Sequence, residues 1–209
     1  MIGEALRILD HDHNITRDQL FVASKVGYIP EDADRGISSE MYIGDLIKQG
    51  VIKEKDIIGE VHCMTPGYLR HQIDESLRNL QLETLDLMYL HNASESQLPL
   101  VGEEVFYEKL ARAFETFETA ISDGKIRSYG MATWVSLRSP PEEVGIHTSI
   151  MKILEVAEKV AGKDHGLKYV QVPLNLMMVE AMGEKWQPVD SELHYQDRKA
   201  VMEASGAGF

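Results

Sequence analysis

The stretch ETLDLMYLHNA, residues 83–93, contains a short apolar run that ends on a histidine. From Leu85 to His91 every residue except Asp86 and His91 is apolar, and the run lacks a helical period, so it predicts a buried β-strand. A histidine that closes such a strand has two explanations. It either caps a core element through a hydrogen bond to backbone, or it lies at the carboxyl end of a parallel strand, where α/β proteins place their chemistry.

The elements on either side of this strand alternate between helix and strand. Apolar stripes and short apolar runs predict helices over 2–9, 66–80, 103–122 and 148–161. They also predict a strand with an apolar core at 20–23 that ends at Lys25, and strands over 85–91, 125–134 and 167–175. Less regular patterns favour a helix near 38–49, an extended piece near 56–63 and a helix near 190–204. The alternation predicts an α/β fold with parallel strands joined by helices. Four such strands fit either an open doubly wound sheet or part of a barrel, and periodicity does not separate the two.

The composition predicts one folded domain, residues 1–209, with an acidic surface. Lys and Arg total 21 against 34 Asp and Glu, a net charge of −13, which argues against nucleic acid and membranes as partners. A phosphorylated cofactor would therefore need local cations. Cys63 is the only cysteine, which excludes an intrachain disulfide and favours a reducing compartment. We expect a cytoplasmic chain by default, with an organelle left open.

One stretch resembles a metal site. Residues 10–14, DHDHN, place two histidines between carboxylates, a set that could bind a divalent cation. Zinc ligands are usually more dispersed along the chain, so a solvated polar turn is the favoured interpretation and no metal site is predicted. Cys63 stands outside any motif and is interpreted as a small buried hydrophobe.

Polar side chains close each of the four predicted strands. They are Lys25, His91, the pair Thr133–Trp134 and the stretch Gln171–Asn175. Because the carboxyl ends of parallel strands meet at one edge, we expect an ammonium, an imidazole, a hydroxyl and an amide to converge there. Each alone has a structural explanation, and only their joint occurrence favours a site. Neither the dinucleotide-binding G-x-G-x-x-G nor the P-loop fingerprint is present.

Four segments, in this order, resemble the aldo-keto reductases. They are LFVASKVGY (20–28), SLRNLQLETLDLMYLHN (76–92), AISDGKIRSYGMATW (120–134) and YVQVPLN (169–175). The second and third are fairly specific together, whereas the first and last are weak alone. The resemblance excludes most of residues 29–64, which are expected to be an insertion after the lysine strand.

The resemblance implies a (β/α)8 barrel that uses a nicotinamide cofactor, usually NADPH, to reduce aldehydes or ketones. It assigns catalytic roles to Lys25 and His91, and it assigns Gln171 to the carboxamide of the cofactor. The family's serine–asparagine pair, which also grips the carboxamide, is replaced by Ala132 and Thr133, so only Thr133 can supply a side-chain hydrogen bond there. The expected ligands are therefore NADPH and a small carbonyl substrate.

The resemblance also implies that the chain is truncated at both ends, leaving a partial barrel. The family's catalytic tyrosine and its aspartate are expected upstream of Met1, and the last two barrel strands are not matched. Tyr28 and Tyr89 lie near Lys25 and His91 in the predicted fold, but a stand-in role for either is the less favoured interpretation.

These departures leave two functional hypotheses. One is an NAD(P)H-dependent carbonyl reductase. The alternative is a non-catalytic scaffold, a regulatory partner, or an incomplete splice or gene-model product that oligomerises through exposed barrel edges. An unrelated open α/β sheet is a third, weaker interpretation.

Overall fold

One four-stranded parallel sheet lies at the centre of the computed structural model, which describes residues 2–31, 36–59 and 61–187. Its strands are β1 (Ala23–Val26), β2 (Leu87–His91), β3 (Tyr129–Ala132) and β4 (Leu167–Gln171). They are hydrogen-bonded in the order β1-β2-β3-β4, and each neighbouring pair is parallel. The predicted α/β fold with four parallel strands is confirmed.

The strand order separates the two architectures that periodicity left open. A doubly wound sheet reverses its strand order at a switch point, whereas the strands of a (β/α)8 barrel follow one another in sequence. This sheet runs in sequence order without a reversal. The described residues therefore form part of a barrel, with β1 and β4 as its two edges.

Helices precede, connect and follow the strands. They are α1 (Ile2–His13), α2 (Ser39–Lys48), α3 (Pro66–Leu80), α4 (Ala93–Val101), α5 (Glu103–Ser122), α6 (Ile150–Ala161) and α7 (Glu180–Gly183). Local chemistry explains where several begin. Ser38 and Ser149 accept hydrogen bonds from the first turns of α2 and α6, and Pro66 opens α3, where a missing N–H costs nothing.

The main core lies between one face of the sheet and the helices. Met88, Leu90 and Met131 point to this side, and all three are fully buried. Tyr129 completes the face, and its ring centroid lies 5.0 Å from that of Phe114 and 5.2 Å from that of Phe117 on α5. Burying each of these large side chains contributes about 2 kcal/mol, so this face supplies much of the stability.

The opposite face of the sheet carries aromatic side chains that are partly open to solvent. Tyr89 and Tyr169 are half-buried, and the exposed Phe21 ring lies 5.8 Å from that of Tyr169. Gly130 makes room for this packing, because a Cβ there would lie 2.5 Å from the Tyr169 carbonyl oxygen and 2.9 Å from Cε1 of Tyr89. In a closed barrel this face is the interior.

Three predictions of local structure need correction. The strand predicted around the apolar core 20–23 and ending at Lys25 begins later than expected, because β1 runs from Ala23 to Val26 and keeps Lys25 near its end. The predicted polar turn is wrong for residues 10–13, which form the last turn of α1. The helix α4 was not predicted, and Pro99 lies inside it. The helix predicted near 190–204 lies outside the described residues.

Residues 29–64 leave β1 and return to the same place. Cys63 N donates to Gly27 O at 2.8 Å, and Ile29 N donates to Val61 O at 2.7 Å, so the two ends of the segment are joined. Among its described residues, the extended piece predicted near 56–63 pairs only through isolated bridges, from Tyr28 and Ile58 to His62. The segment has its own small core, which includes α2. That it is an insertion stays a prediction.

No helix within the described residues is long and apolar enough to cross a membrane.

Candidate active site

A cavity of about 170 Å³ opens at the carboxyl edge of the sheet. All four site residues predicted from the sequence line it, each from a different strand or from the residue just after one. The lining consists of Lys25, His91, Asn92, Ala132, Thr133, Trp134, Gln171, Val172 and Pro173. Complete ligand sites usually measure about 300 to 1000 Å³, so this cavity has the size for one end of a larger ligand.

Lys25 and His91 lie on the two adjacent strands β1 and β2. The Lys25 side chain is exposed, and His91 is half-buried. Burial lowers the pKa of the His91 imidazole, and the nearby Lys25 ammonium lowers it further. His91 is therefore neutral at neutral pH, and a neutral imidazole keeps one N–H donor and one acceptor nitrogen.

A sharp turn ends β2 and begins α4. Asn92 makes this turn with φ of 46°, in the left-handed region that asparagine tolerates better than most residues. Its backbone N–H donates to Ala132 O at 2.6 Å, so the ends of β2 and β3 stay joined. The position of Asn92 directly after His91 could have predicted this turn from the sequence, but no turn was predicted there.

Thr133 and Gln171 form the side of the cavity assigned to the cofactor. Thr133 N donates to Gln171 O at 2.9 Å, which fixes the two strand ends side by side. Thr133 is only 5% exposed, and its Oγ1 is buried without a hydrogen-bond partner among the described residues. A buried hydroxyl without a partner costs free energy unless a ligand or water completes it. The exposed Gln171 amide lies on the same side of the cavity.

Glu95 on α4 holds the loop that follows β3. Its Oε1 accepts three backbone N–H groups, from Trp134 at 2.8 Å and from Val135 and Ser136 at 2.9 Å. Charge-assisted bonds of this kind are roughly twice as strong as neutral ones, so the rim of the cavity at Trp134 is rigidly placed. Sequence reasoning missed Glu95, because nothing in the local pattern indicates a contact with so distant a loop.

Neither of the two tyrosines considered as proton donors lines the cavity. The Tyr28 hydroxyl accepts a hydrogen bond from Ser96 Oγ at 3.1 Å, while the ring packs edge-on against His91 with centroids 5.2 Å apart. Tyr89 lies opposite Lys25 in the strand register, and burial raises the pKa of its hydroxyl. The interpretation that disfavoured both therefore stands on position as well.

The histidines and carboxylates considered for a metal lie in the last turn of α1. His11 Nδ1 lies 2.6 Å from Asp12 Oδ1, and both side chains are exposed on α1. Within the described ranges no group of three or more His, Cys, Asp or Glu is arranged to hold an ion. Cys63 is buried with its Sγ 3.3 Å from Thr65 Oγ1, and burial raises the pKa of its thiol.

Comparison with known protein families accounts for this arrangement. The model of the aldo/keto reductase family matches residues 1–139. The chain belongs to the aldo/keto reductase family. Lys25, His91 and Thr133 lie inside the matched residues of this aldo/keto reductase, whereas Gln171 lies beyond them and rests on the cavity geometry and on the motif resemblance.

Solved structures of aldo-keto reductases are similar to parts of the chain. The aldo-keto reductase of Bacillus halodurans in its holo form is 18% identical over 83% of this chain and 38% of its own, with a TM-score of 0.46. The aldose reductase of Schistosoma japonicum is 17% identical over 90% of this chain and 50% of its own, with a TM-score of 0.46. The glycerol dehydrogenase of Gluconobacter oxydans is 21% identical over 84% of this chain and 38% of its own, with a TM-score of 0.44.

The chain thus spans between 38% and 50% of the length of these structures. No sequence among the curated proteins matches it significantly.

Proposed function

We propose that this chain binds NADPH and reduces aldehydes or ketones to alcohols. One observation carries the proposal: Lys25, His91, Thr133 and Gln171, chosen from the ends of four strands, line one cavity. Side chains from several strands that meet at the carboxyl edge are the usual source of catalytic groups in barrels. Membership of the aldo/keto reductase family supports the same chemistry.

Each residue has a chemical role in this proposal. A bound reduced nicotinamide supplies the hydride, and the carbonyl oxygen then gains negative charge. His91, which burial keeps neutral, donates a hydrogen bond from its N–H to that oxygen, and the proton that completes the alcohol comes from water. The Lys25 ammonium on the neighbouring strand adds a positive field on the same side. Thr133 Oγ1 and the Gln171 amide hold the carboxamide, so that the face of the ring is fixed toward the substrate.

A second candidate is a chain that binds the cofactor without turnover. It is favoured by what the lining lacks: no tyrosine is among the described residues that line the cavity. In that part of the chain the Lys25 ammonium also has no carboxylate partner. A proton donor and a lysine–carboxylate pair would then have to come from outside the described residues, which by themselves would be a scaffold.

A thermal melt with and without NADPH, followed by a turnover assay with 4-nitrobenzaldehyde, separates the candidates. A ligand at a hundred times its dissociation constant stabilises the folded state by about 2.7 kcal/mol, which moves a melt by several degrees. Gln171→Leu should remove most of this shift. The matched control is Lys168→Met, an exposed residue of the same strand that lies outside the cavity lining.

Three outcomes are distinct. A melt shift with turnover that His91→Leu abolishes supports carbonyl reduction. A shift without turnover supports the second candidate, and sedimentation of the same samples tests self-association through the sheet edges. Absence of a shift in the wild-type chain contradicts both.

A further inference from the structure

His62 lies behind the strand end that carries His91. It is 1% exposed, at the point where residues 29–64 return to β1. Its Nε2 lies 3.0 Å from the backbone carbonyl oxygen of His91, and its Nδ1 lies 2.8 Å from Nε2 of Gln97 on α4. A fully buried histidine with both ring nitrogens hydrogen-bonded joins three segments of the site region: the 29–64 segment, β2 and α4.

The three hydrogen-bonding groups determine the tautomer of His62. A carbonyl oxygen only accepts, so Nε2 must carry the proton. In the neutral ring Nδ1 then accepts, and Gln97 must turn its NH2 group toward it. The amide oxygen of Gln97 consequently has no partner among the described residues. Burial lowers the pKa of His62 to about 4, against smaller opposing effects, so the ring is neutral at neutral pH.

The bond from His62 replaces a ladder bond that β1 no longer supplies. β1 ends at Val26, opposite Leu90, so His91 extends one residue beyond the last registered pair. At that point β2 faces Gly27, whose φ is 122°. A Cβ on Gly27 would lie 2.8 Å from His62 Nε2 and 3.1 Å from His91 O, so the contact depends on this glycine.

The ring of Tyr28 packs against both histidines. Its centroid lies 5.3 Å from that of His62 and 5.2 Å from that of His91, and the rings are steeply tilted in each pair. Edge-to-face packing of this kind favours one orientation of each ring. The backbone of His91 is thus held through its carbonyl, and its side chain is held through Tyr28.

We propose that His62 is a positioning residue, which donates from Nε2 to the His91 carbonyl and thereby sets the direction in which the His91 imidazole enters the cavity. The catalytic meaning of this role rests on the proposed function, because His91 is the residue that would touch the substrate. The placement of His91 by His62 can be tested without turnover.

Nuclear magnetic resonance of the 15N-labelled full chain tests the placement. His62→Leu removes the donor, and His62→Gln retains an N–H near the same position. We expect His62→Leu to shift the ring nitrogen resonances of His91 and to raise its pKa toward the ordinary value. His62→Gln should restore most of both. Unchanged His91 resonances and titration in a folded His62→Leu chain would overturn the proposal.

His71→Leu is the matched control. His71 Nε2 lies 3.0 Å from the Tyr42 hydroxyl, so this substitution also removes a histidine hydrogen bond next to the 29–64 segment, but it does not touch β2. It should lower stability without moving the His91 resonances. If His71→Leu shifts the His91 resonances as much as His62→Leu does, the shift reflects a general loss of packing, and the proposal is overturned.

Gln97→Leu covers the case in which His62→Leu does not fold. It frees Nδ1 of His62 and leaves the bond from Nε2 to the His91 carbonyl, so we expect the Nε2–H tautomer to persist and the His91 resonances to shift less than in His62→Leu. A His62 ring that loses the Nε2–H tautomer while the His91 resonances stay unmoved would contradict the proposal.

Turnover separates this inference from the proposed function. If the wild-type chain reduces 4-nitrobenzaldehyde, His62→Leu should lower kcat about tenfold with little change in the KM for NADPH, since a small misplacement of a reacting group has an effect of this size. If the wild-type chain does not turn over, the proposed function fails. The resonance shifts at His91 then still decide the positioning role.

Discussion

Buried polar groups at the amino edge and at the carboxyl edge of the sheet differ in their hydrogen bonding. At the amino edge, the Asp86 carboxylate accepts from Val22 N and Arg17 Nη2, both at 2.7 Å, and from Arg127 Nη1 at 2.9 Å. Asp86 O accepts from Ser128 Oγ as well, so both carboxylate oxygens and the carbonyl oxygen of Asp86 are hydrogen-bonded. The segments that leave the carboxyl edge instead carry buried polar atoms without partners among the described residues, in Ser94, Glu95, Gln97, Thr133, Ser136 and Thr148.

This difference is the one expected for a barrel. Residues at the amino ends of the strands stabilise the fold, and residues at the carboxyl ends bind and react. A buried polar atom without a partner is costly, so its persistence calls for a ligand, a water or a functional constraint. The carboxyl edge is therefore stabilised less than it could be, at the place where the cavity lies.

Removal of the carboxylate from the amino edge should give the largest effect. Asp86→Ala leaves two guanidinium groups and a buried N–H without their acceptor, and we expect the free energy of unfolding to fall by about 4 kcal/mol. Urea denaturation measures this loss. Asp123→Ala, an exposed carboxylate after α5, is the matched control and should cost less than about 0.5 kcal/mol. Similar losses of unfolding free energy in Asp86→Ala and Asp123→Ala would mean that the carboxylate at the amino edge stabilises the fold no more than an exposed one.

Acid titration should weaken the two edges in separate pH ranges. The pKa of His62 is about 4 in the folded chain and about 6.5 when unfolded, so the unfolded chain takes up this proton first as the pH falls. Stability is then lost between about pH 6.5 and 4, by about 3 kcal/mol in total.

Asp86 also loses stabilisation as the pH falls, but in a lower pH range than His62. Burial alone raises its pKa, but the Val22 N–H and the Arg17 and Arg127 guanidiniums lower it more, so the net pKa lies below the usual value. Its stabilisation is present above the unfolded pKa and is lost only as the pH falls below about 3.8. Denaturation across this range should show both stages, and His62→Gln should remove most of the first, to which the lowered pKa of His91 also contributes. If stability falls equally steeply with pH between 6.5 and 4 in the wild-type chain and in His62→Gln, the first stage comes from a group other than His62.

The sequence predicted the long helices better than the strands. The helices α3 and α5 have long apolar stripes and clear end signals, so their bounds follow from local pattern alone. The bounds of β1 depend instead on its partner. Pairing with β2 begins where Asp86 N donates to Val22 O, and the apolar residues at 20–23 do not by themselves predict that contact.

The same distinction explains what could be predicted of the site. Topology alone brings strand ends together, so Lys25, His91 and Thr133 could be placed at one cavity from the sequence. Glu95 and His62 act through hydrogen bonds to segments far away in the chain, and no local pattern predicts such partners. The hydrogen bonds of Glu95 and His62 can be recognised only once the positions of the loops in the structure are known.

Replacement of the hydroxyl that lacks a partner should change binding more than stability. Thr133→Val keeps the shape of the side chain, and we expect the free energy of unfolding to stay equal or to rise by up to about 1 kcal/mol. NADPH binding should weaken about five- to tenfold, because one hydrogen bond is lost. Fluorescence titration measures the affinity.

Thr116→Val is the control for this pair of effects. Thr116 is equally buried, but its hydroxyl donates to Arg112 O at 2.9 Å, so the substitution should cost about 1 kcal/mol of stability and leave NADPH binding unchanged. A loss of stability in Thr133→Val as large as in Thr116→Val would mean that the Thr133 hydroxyl is already satisfied.

The smallest effect concerns the position where this chain departs from the family pattern. Ala132 lines the cavity and is only 2% exposed, so Ala132→Ser adds one hydroxyl on the cofactor side with little change in volume. If the carboxamide lies there, a second donor should tighten NADPH binding two- to threefold, by about 0.5 kcal/mol. Ala157→Ser, in the buried face of α6 away from the cavity, should cost stability without any gain in affinity. Equal affinities in the wild-type chain and Ala132→Ser would place the carboxamide away from β3, and Gln171 would then remain as its only contact among the four strand-end residues.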